Sequence, residues 1–308
     1  MKKILQQLKS AVKSVLKKIY RVRRRIELSR TGTKITPQRL KQDLIKLGVT
    51  EGDTLFIHSS LKSIGYLEGG PKTLIDVLLE IVTPSGTLIF PTYYLPCGTI
   101  YETCKMDDYV FDIRKHGTNI GRLPEAVIKY PNVQRSLHPT HSVSAIGYHS
   151  KLITETHHLA PSIFGKGSPW DRFLEVNGKV LGLGVSMGPI TFYHMLEDRM
   201  ADKFPLPVRM AECKLKCKNH NNELVEVPVH PLDIKYLPRR IDNKARKDLR
   251  DYFWHEFSSR QLLKIDKVGE STSWMVEGDV FYQHLETLVE QGITIYSTET
   301  QLKARPII

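Results

Sequence analysis

The 308-residue chain lacks any apolar run of the roughly 18 residues that a membrane-spanning helix needs, and lysines interrupt every apolar stretch near its start. Neither a span nor a secretory signal is expected. Cysteine is sparse, with only Cys97, Cys104, Cys213 and Cys217, so reduced thiols in a cytoplasmic protein are expected rather than a disulfide framework. There is no Gly-x-Ser-x-Gly nucleophile elbow, no carboxylate and histidine spacing of a metal triad, no internal repeat and no low-complexity linker.

Acid is almost missing from the first 35 residues, where Glu27 stands against twelve Lys and Arg. The formal net charge of +12 therefore belongs to this tail, and the other 273 residues are close to neutral. Leu5, Leu8, Val12, Val15, Ile19, Val22 and Ile26 recur at alternating spacings of three and four, which predicts a basic amphipathic helix over 1–35. Its first 30 residues suit an anionic membrane surface, at the inner face of the membrane. The same spacing would also serve a coiled-coil arm, and a homodimer stays open. Nucleic acid is not expected as a partner, because the body adds no aromatic or basic readout.

Residues 36–308 have the 41% apolar composition and the length to form one large α/β domain. Thr36-Pro37 opens a helix over Gln38 to Leu47, and Thr54 to His58 reads as a strand running into Ser59-Ser60. A helix over Lys72 to Val82 and a strand over Thr87 to Phe90 complete a βαβ unit, so the sheet is at least partly parallel. Ligands collect at the carboxyl ends of such strands, which predicts one crevice lined by His58-Ser59-Ser60, Pro91-Thr92 and Ser186-Met187-Gly188. Leu95 to Phe111 reads as an insertion or lid. Ser136 to Ser142 is a histidine-rich loop before a strand over Val143 to Ile146. The alternation on either side of Asn219 to Asn222 predicts a β-hairpin, and Gly278 to Gln291 reads as a helix. On a strand, Cys213 and Cys217 would lie about 13 Å apart at ~3.3 Å per residue, too far to share a zinc ion with His220 or His230.

The segment from Val180 to Glu197 is the most informative. Val180, Leu181, Leu183 and Val185 among glycines suit a buried strand, and Thr191 is placed to cap a helix that carries His194 and, three residues on, Glu197. A helix N-terminus disfavours imidazolium, so His194 is a candidate general base. The spacing Gly182-x-Gly184-x-x-x-Gly188 misses the dinucleotide fingerprint by one residue, and these glycines are better suited to a sharp turn and close approach to a ligand. Ser59 or Ser60 with His138, His141 or His194 would also supply a nucleophile and base, so a serine hydrolase is a competing reading.

Taken in order, His58-Ser-Ser-Leu-Lys-Ser-Ile-Gly65, Gly69-Gly-Pro71, Pro91-Thr92, Phe111-Asp112, Arg135-Ser-Leu-His138-Pro, His141-Ser142, Gly167-Ser-Pro169, the Val180 to Val185 strand and Thr191-x-x-His194-x-x-Glu197 resemble the aminoglycoside 3-N-acetyltransferase family over about residues 36 to 235. The resemblance implies a three-layer α/β/α sandwich with a mixed, partly parallel central sheet, not the GNAT fold. It also implies transfer of an acyl group from acetyl-CoA or another acyl-CoA to a sugar amine, without a metal. It assigns His194 as general base, with Thr191 and Glu197 in the same motif and Asp233 as the acid that supports the histidine or the substrate. It places Ser59, Ser60, Leu61, Ser63, Ile64 and Gly65 against the coenzyme, with His138 and Ser168 in the same set. The Ser59-Ser60 turn is expected to stabilise the oxyanion.

Two departures bear on the acceptor. Met187-Gly188-Pro189-Ile190 stands where members of that family carry a polar turn, and the hairpin segment Val229 to Asp233 offers one acid where several are expected. The sequence therefore favours a less cationic amine, a nucleotide-linked amino sugar of surface glycan synthesis, with Arg114, Lys115, Arg239 and Arg240 as candidates to meet its diphosphate. An aminoglycoside acetyltransferase conferring antibiotic resistance is the alternative. A coenzyme-binding protein without catalysis is a further one.

Overall fold

A computed structural model describes residues 34–305. The tail helix expected over 1–35 falls almost wholly outside them, and Lys34–Ile35 forms a short strand. Ten further strands matter here: β1 Thr54–Ser59, β2 Thr87–Pro91, β3 Val110–Asp112, β4 Gln134–Arg135, β5 Val143–Gly147, β6 Lys179–Leu183, β7 Cys213–Lys218, β8 Leu224–Val229, β9 Lys264–Val268 and β10 Ser271–Glu277. Seven of them form the central sheet in the order β9-β10-β6-β1-β2-β5-β4. β1 is parallel to both β2 and β6, while β5 and β10 run antiparallel to their inner neighbours, so the sheet is mixed as expected.

The helices that matter here are α1 Pro37–Leu47, α2 Pro71–Val82, α3 Ile100–Cys104, α4 Arg122–Val127, α5 Pro169–Glu175, α6 Tyr193–Arg199, α7 Lys247–Ser259 and α8 Gly278–Glu290. Strand alternation sends Leu55 and Ile57 to one face, where they meet Leu40, Leu44, Leu74 and Leu78 of α1 and α2. Phe56, between them, faces the other way and packs with Trp170, Phe173, Phe192 and Phe281. Two apolar layers on opposite faces of one sheet make the three-layer sandwich. Among the described residues no helix is long and apolar enough to cross a membrane.

Local chemistry explains the elements that the sequence announces. Thr36 accepts the Arg39 N–H at 3.2 Å, and α1 ends at Gly48 in the left-handed region, φ +107°. Gly182 is a strand glycine for a different reason from the one expected: a Cβ there would lie 2.1 Å from the Trp274 indole, so its smallness serves the neighbouring strand and not a ligand. Gly184, φ +63°, does turn the chain sharply out of β6.

The hairpin of β7 and β8 forms as predicted and adds β3 in parallel to make a three-stranded sheet. The thiol expectation is corrected. Cys104 on α3 and Cys213 on β7 form a disulfide with Cα atoms 6.4 Å apart, because the hairpin lies across the segment that read as a lid. Cys97 and Cys217 are free.

Candidate active site

The ends of β1, β2 and β6 open on one cleft of about 650 Å³. His58 and Ser59 line it from β1, Ser60 from just beyond that strand, Pro91 from β2 and Gly188 from the loop after β6, so the predicted crevice is present. Thr92, Ser186 and Met187 are not part of its lining. The Thr92 hydroxyl donates to the Ser142 carbonyl at 3.2 Å, and Met187 is fully buried.

His194 reaches this cleft from the second residue of α6. Its Nδ1 lies 2.8 Å from Glu197 Oε1, the i,i+3 pairing that the sequence spacing permits. One ring face packs on Phe164 at 5.2 Å, and the imidazole is only 16% exposed. With Nδ1 committed to the carboxylate, Nε2 is the nitrogen left for a ligand.

Glu197 itself has no exposed side-chain surface. Its Oε1 also accepts the Tyr296 hydroxyl at 2.7 Å, and Oε2 lies 3.0 Å from the Arg209 guanidinium, which is shared with Asp198 at 2.9 Å. Burial alone would raise the pKa of this carboxyl. The charges of His194 and Arg209 and the hydrogen bonds from His194 and Tyr296 outweigh it and hold the value near about 2. The group facing His194 is therefore a fixed carboxylate, which orients the ring and selects its tautomer.

Several expected residues have other roles. Thr191 caps nothing: its hydroxyl accepts Trp170 Nε1 at 2.9 Å, and α6 starts after Phe192 without a side-chain cap. Asp233 accepts the Lys235 backbone N–H at 3.1 Å and pairs with Lys235 Nζ at 2.7 Å, away from the cleft lining, so the acid behind His194 is Glu197. Of the proposed coenzyme residues, Ser59, Ser60 and Leu61 line the cleft. Ser63 instead bonds Ser60 through their hydroxyls at 2.8 Å, while Ile64 is buried in the core and Gly65 is a positive-φ turn.

The Ser60 N–H is spent on the Leu183 carbonyl at 2.9 Å, so it is no oxyanion donor. No bond joins Ser59 or Ser60 to a histidine among the described residues, which leaves the hydrolase reading without its dyad. His138 is buried and stacked on His157 at 4.3 Å, and its Nδ1 accepts the His141 N–H at 3.0 Å. Ser168 is buried and caps α5. Both support the loops behind the site without lining it.

Sequence reasoning missed Arg209, Tyr296 and Phe164. Tyr296 is 99 positions from its partner, and no local pattern signals such a contact.

A family model described as aminoglycoside 3-N-acetyltransferase matches residues 56–290. An aminoglycoside N(3)-acetyltransferase III from Salmonella sp is 35% identical over 172 residues, which cover 53% of this chain and 60% of that protein. The matched stretch thus spans less than two thirds of this relative. Among solved structures, aminoglycoside acetyltransferase AAC(3)-Xa superposes with a TM-score of 0.73 at 25% identity, covering 88% of this chain and 98% of the other. AAC-IIIb, solved as a binary complex with CoASH, has a TM-score of 0.70 at 23% identity, covering 86% and 100%.

Proposed function

The chain belongs to the aminoglycoside 3-N-acetyltransferase family, and on that footing we propose that it moves an acetyl group from acetyl-CoA to an amine of an amino sugar, with His194 as general base. The observation that carries this reading is the His194–Glu197 pair, 2.8 Å apart, opening on the cleft at the strand ends. His194 Nε2 takes a proton from the acceptor nitrogen as that nitrogen attacks the thioester carbon. The C–S bond then breaks, and the imidazolium returns the proton to the departing coenzyme thiolate. Glu197 stabilises the imidazolium formed between those two events.

The lining fits a phosphate-bearing co-substrate. Lys62 and Arg122 both face the cleft, and neither is ion-paired among the described residues. Ser59, Ser60 and Leu61, which the family resemblance assigns to the coenzyme, lie in the same wall.

A nucleotide-linked acceptor, favoured by the sequence, is not supported by the family comparisons and loses its expected grip on a diphosphate. Arg114 and Lys115 are tied to Asp112, and Arg239 donates to the Tyr296 carbonyl at 3.0 Å. Only Arg240 of the four lines the cleft, and Asp242 holds it with two hydrogen bonds. Aminoglycosides, on which the relatives are named as acting, are the acceptors to test first. Among the described residues the one lining carboxylate, Asp242, is neutralised by Arg240, which favours an amino sugar with fewer ammonium groups as the second reading.

Release of coenzyme A thiol from acetyl-CoA, measured across aminoglycosides and simpler amino sugars, tests the proposal. His194→Ala is expected to lower kcat by at least about 100-fold while the fold is kept. Full activity in that variant would overturn the assignment of the base.

A further inference from the structure

Besides His58 and His194, His141 faces the cleft, and it is built differently from His194. His141 lies in the loop before β5, with its ring 4.4 Å from Tyr93 and 5.4 Å from Phe164, the same phenyl ring that supports His194. No carboxylate holds it. Its Nδ1 is 3.0 Å from the Thr140 hydroxyl.

The hydrogen bonds around it favour one tautomer. His138 Nδ1 has one in-plane lone pair, already shared by the N–H groups of Thr140 at 3.3 Å and His141 at 3.0 Å. The Thr140 hydroxyl is 3.4 Å from that saturated nitrogen and nearer to His141 Nδ1, which makes His141 the better acceptor for its proton. With Nδ1 as acceptor, the proton of the neutral ring sits on Nε2, which has no partner among the described residues. Burial, with His194 and Arg209 alongside, pushes the pKa well below the ordinary imidazole value. His141 therefore offers the cleft a neutral N–H donor, whereas His194 offers a proton acceptor.

Resting on the acetyl-transfer reading, we propose that His141 is a specificity residue for the acceptor: its Nε2–H binds an oxygen beside the reacting amine and rejects a second ammonium at that position. A neutral donor facing an ammonium leaves two donors in contact with no acceptor between them, a mismatch that polar sites use to discriminate. The clamp of Arg240 on Asp242 removes the one lining carboxylate that would otherwise welcome an extra cation. The substrate class is then an amino sugar whose amine has a hydroxyl or ether oxygen as its neighbour.

The test compares glucosamine with its 3-amino-3-deoxy analogue as acceptors for acetyl-CoA, in the wild type, His141→Ala and His141→Gln. Gln carries an amide N–H near the position of the imidazole Nε2, so it is the rescuing variant. The wild type should favour glucosamine by about tenfold or more in kcat/KM, His141→Ala should bring the ratio near one, and His141→Gln should keep it. A wild type that prefers the diamine, or an unchanged ratio in His141→Ala, overturns the assignment. If no acceptor gives thiol release, the acetyl-transfer reading fails on its own. The same ratio is then taken from calorimetric affinities for the two sugars, where no dependence on residue 141 overturns the specificity role.

Discussion

Acidification from pH 7 to 5.5 is expected to weaken the fold steeply, through imidazoles that the native state keeps neutral: His141 and, more deeply buried, three others. His58 is 5% exposed, His138 1% and His157 1%. Burial pushes His58 and His157 down to about 3, the latter despite the Ile163 carbonyl that favours its charged form. Burial, followed by the charges of His157 and His141, takes His138 well below 6.5. The geometry agrees: protonating His138 at Nδ1 would displace two backbone N–H donors. In the unfolded chain each ring takes up a proton below about 6.5, so the unfolded state binds more protons and stability falls as pH falls, through a window running from 6.5 toward 3. Relative to pH 7, one such histidine costs about 1.2 kcal/mol at pH 5.5, and three cost roughly 4 kcal/mol. The Glu197 carboxyl does not contribute in this range, because its unfolded value already lies below 5. Urea unfolding at pH 7, 6 and 5.5 reads the effect as a falling midpoint, and His157→Gln should remove about one share of it. A free energy of unfolding constant to within about 1 kcal/mol over that range would refute the reasoning.

Glu197→Gln keeps the volume and an acceptor for Tyr296 but loses the charge that fixes His194, so kcat should fall by about 100-fold or more while thermal unfolding changes far less. Glu197→Ala should in addition cost about 3 kcal/mol or more, since it leaves the Tyr296 hydroxyl without its partner and the buried Arg209 charge with Asp198 alone. For the cysteines, maleimide labelling of the denatured chain should count two thiols without reductant and four with it. Gly182→Ala should leave little folded protein in the soluble fraction, because β10 carries Trp274 directly against that position.

The sheet was legible because its strands are short apolar runs bounded by turns, and Leu55, Phe56 and Ile57 already carry the two faces of a sandwich. The cleft was legible because the strand ends carry Ser59, Pro91 and the glycine turn. The His194–Glu197 pair was legible because i,i+3 spacing is a local fact. What sequence reading got wrong is non-local. Thr191 has the right chemistry for a cap, but Trp170, 21 positions earlier, claims its hydroxyl. His138 and Ser168 sit in conspicuous motifs whose work is done beneath the surface of the site. Asp233 is an acid in the expected stretch of chain, yet Lys235 holds it outside the cleft. The Cys104–Cys213 bond joins residues 109 positions apart, and their spacing says nothing about it.

Phe164 gives the site a shared pivot. The ring packs on the His141 and His194 imidazoles, Trp170 stands against it at 4.5 Å and the Arg209 guanidinium lies 5.7 Å from it, while its own N–H is anchored to Asp198 at 2.9 Å. A residue of different size at this position would shift His194 and His141 together. On the proposed roles of His194 and His141, speed and choosiness are therefore not independent traits. A descendant that changes its acceptor by remodelling this ring must also change its rate, and the route to new selectivity at constant rate runs through residue 141.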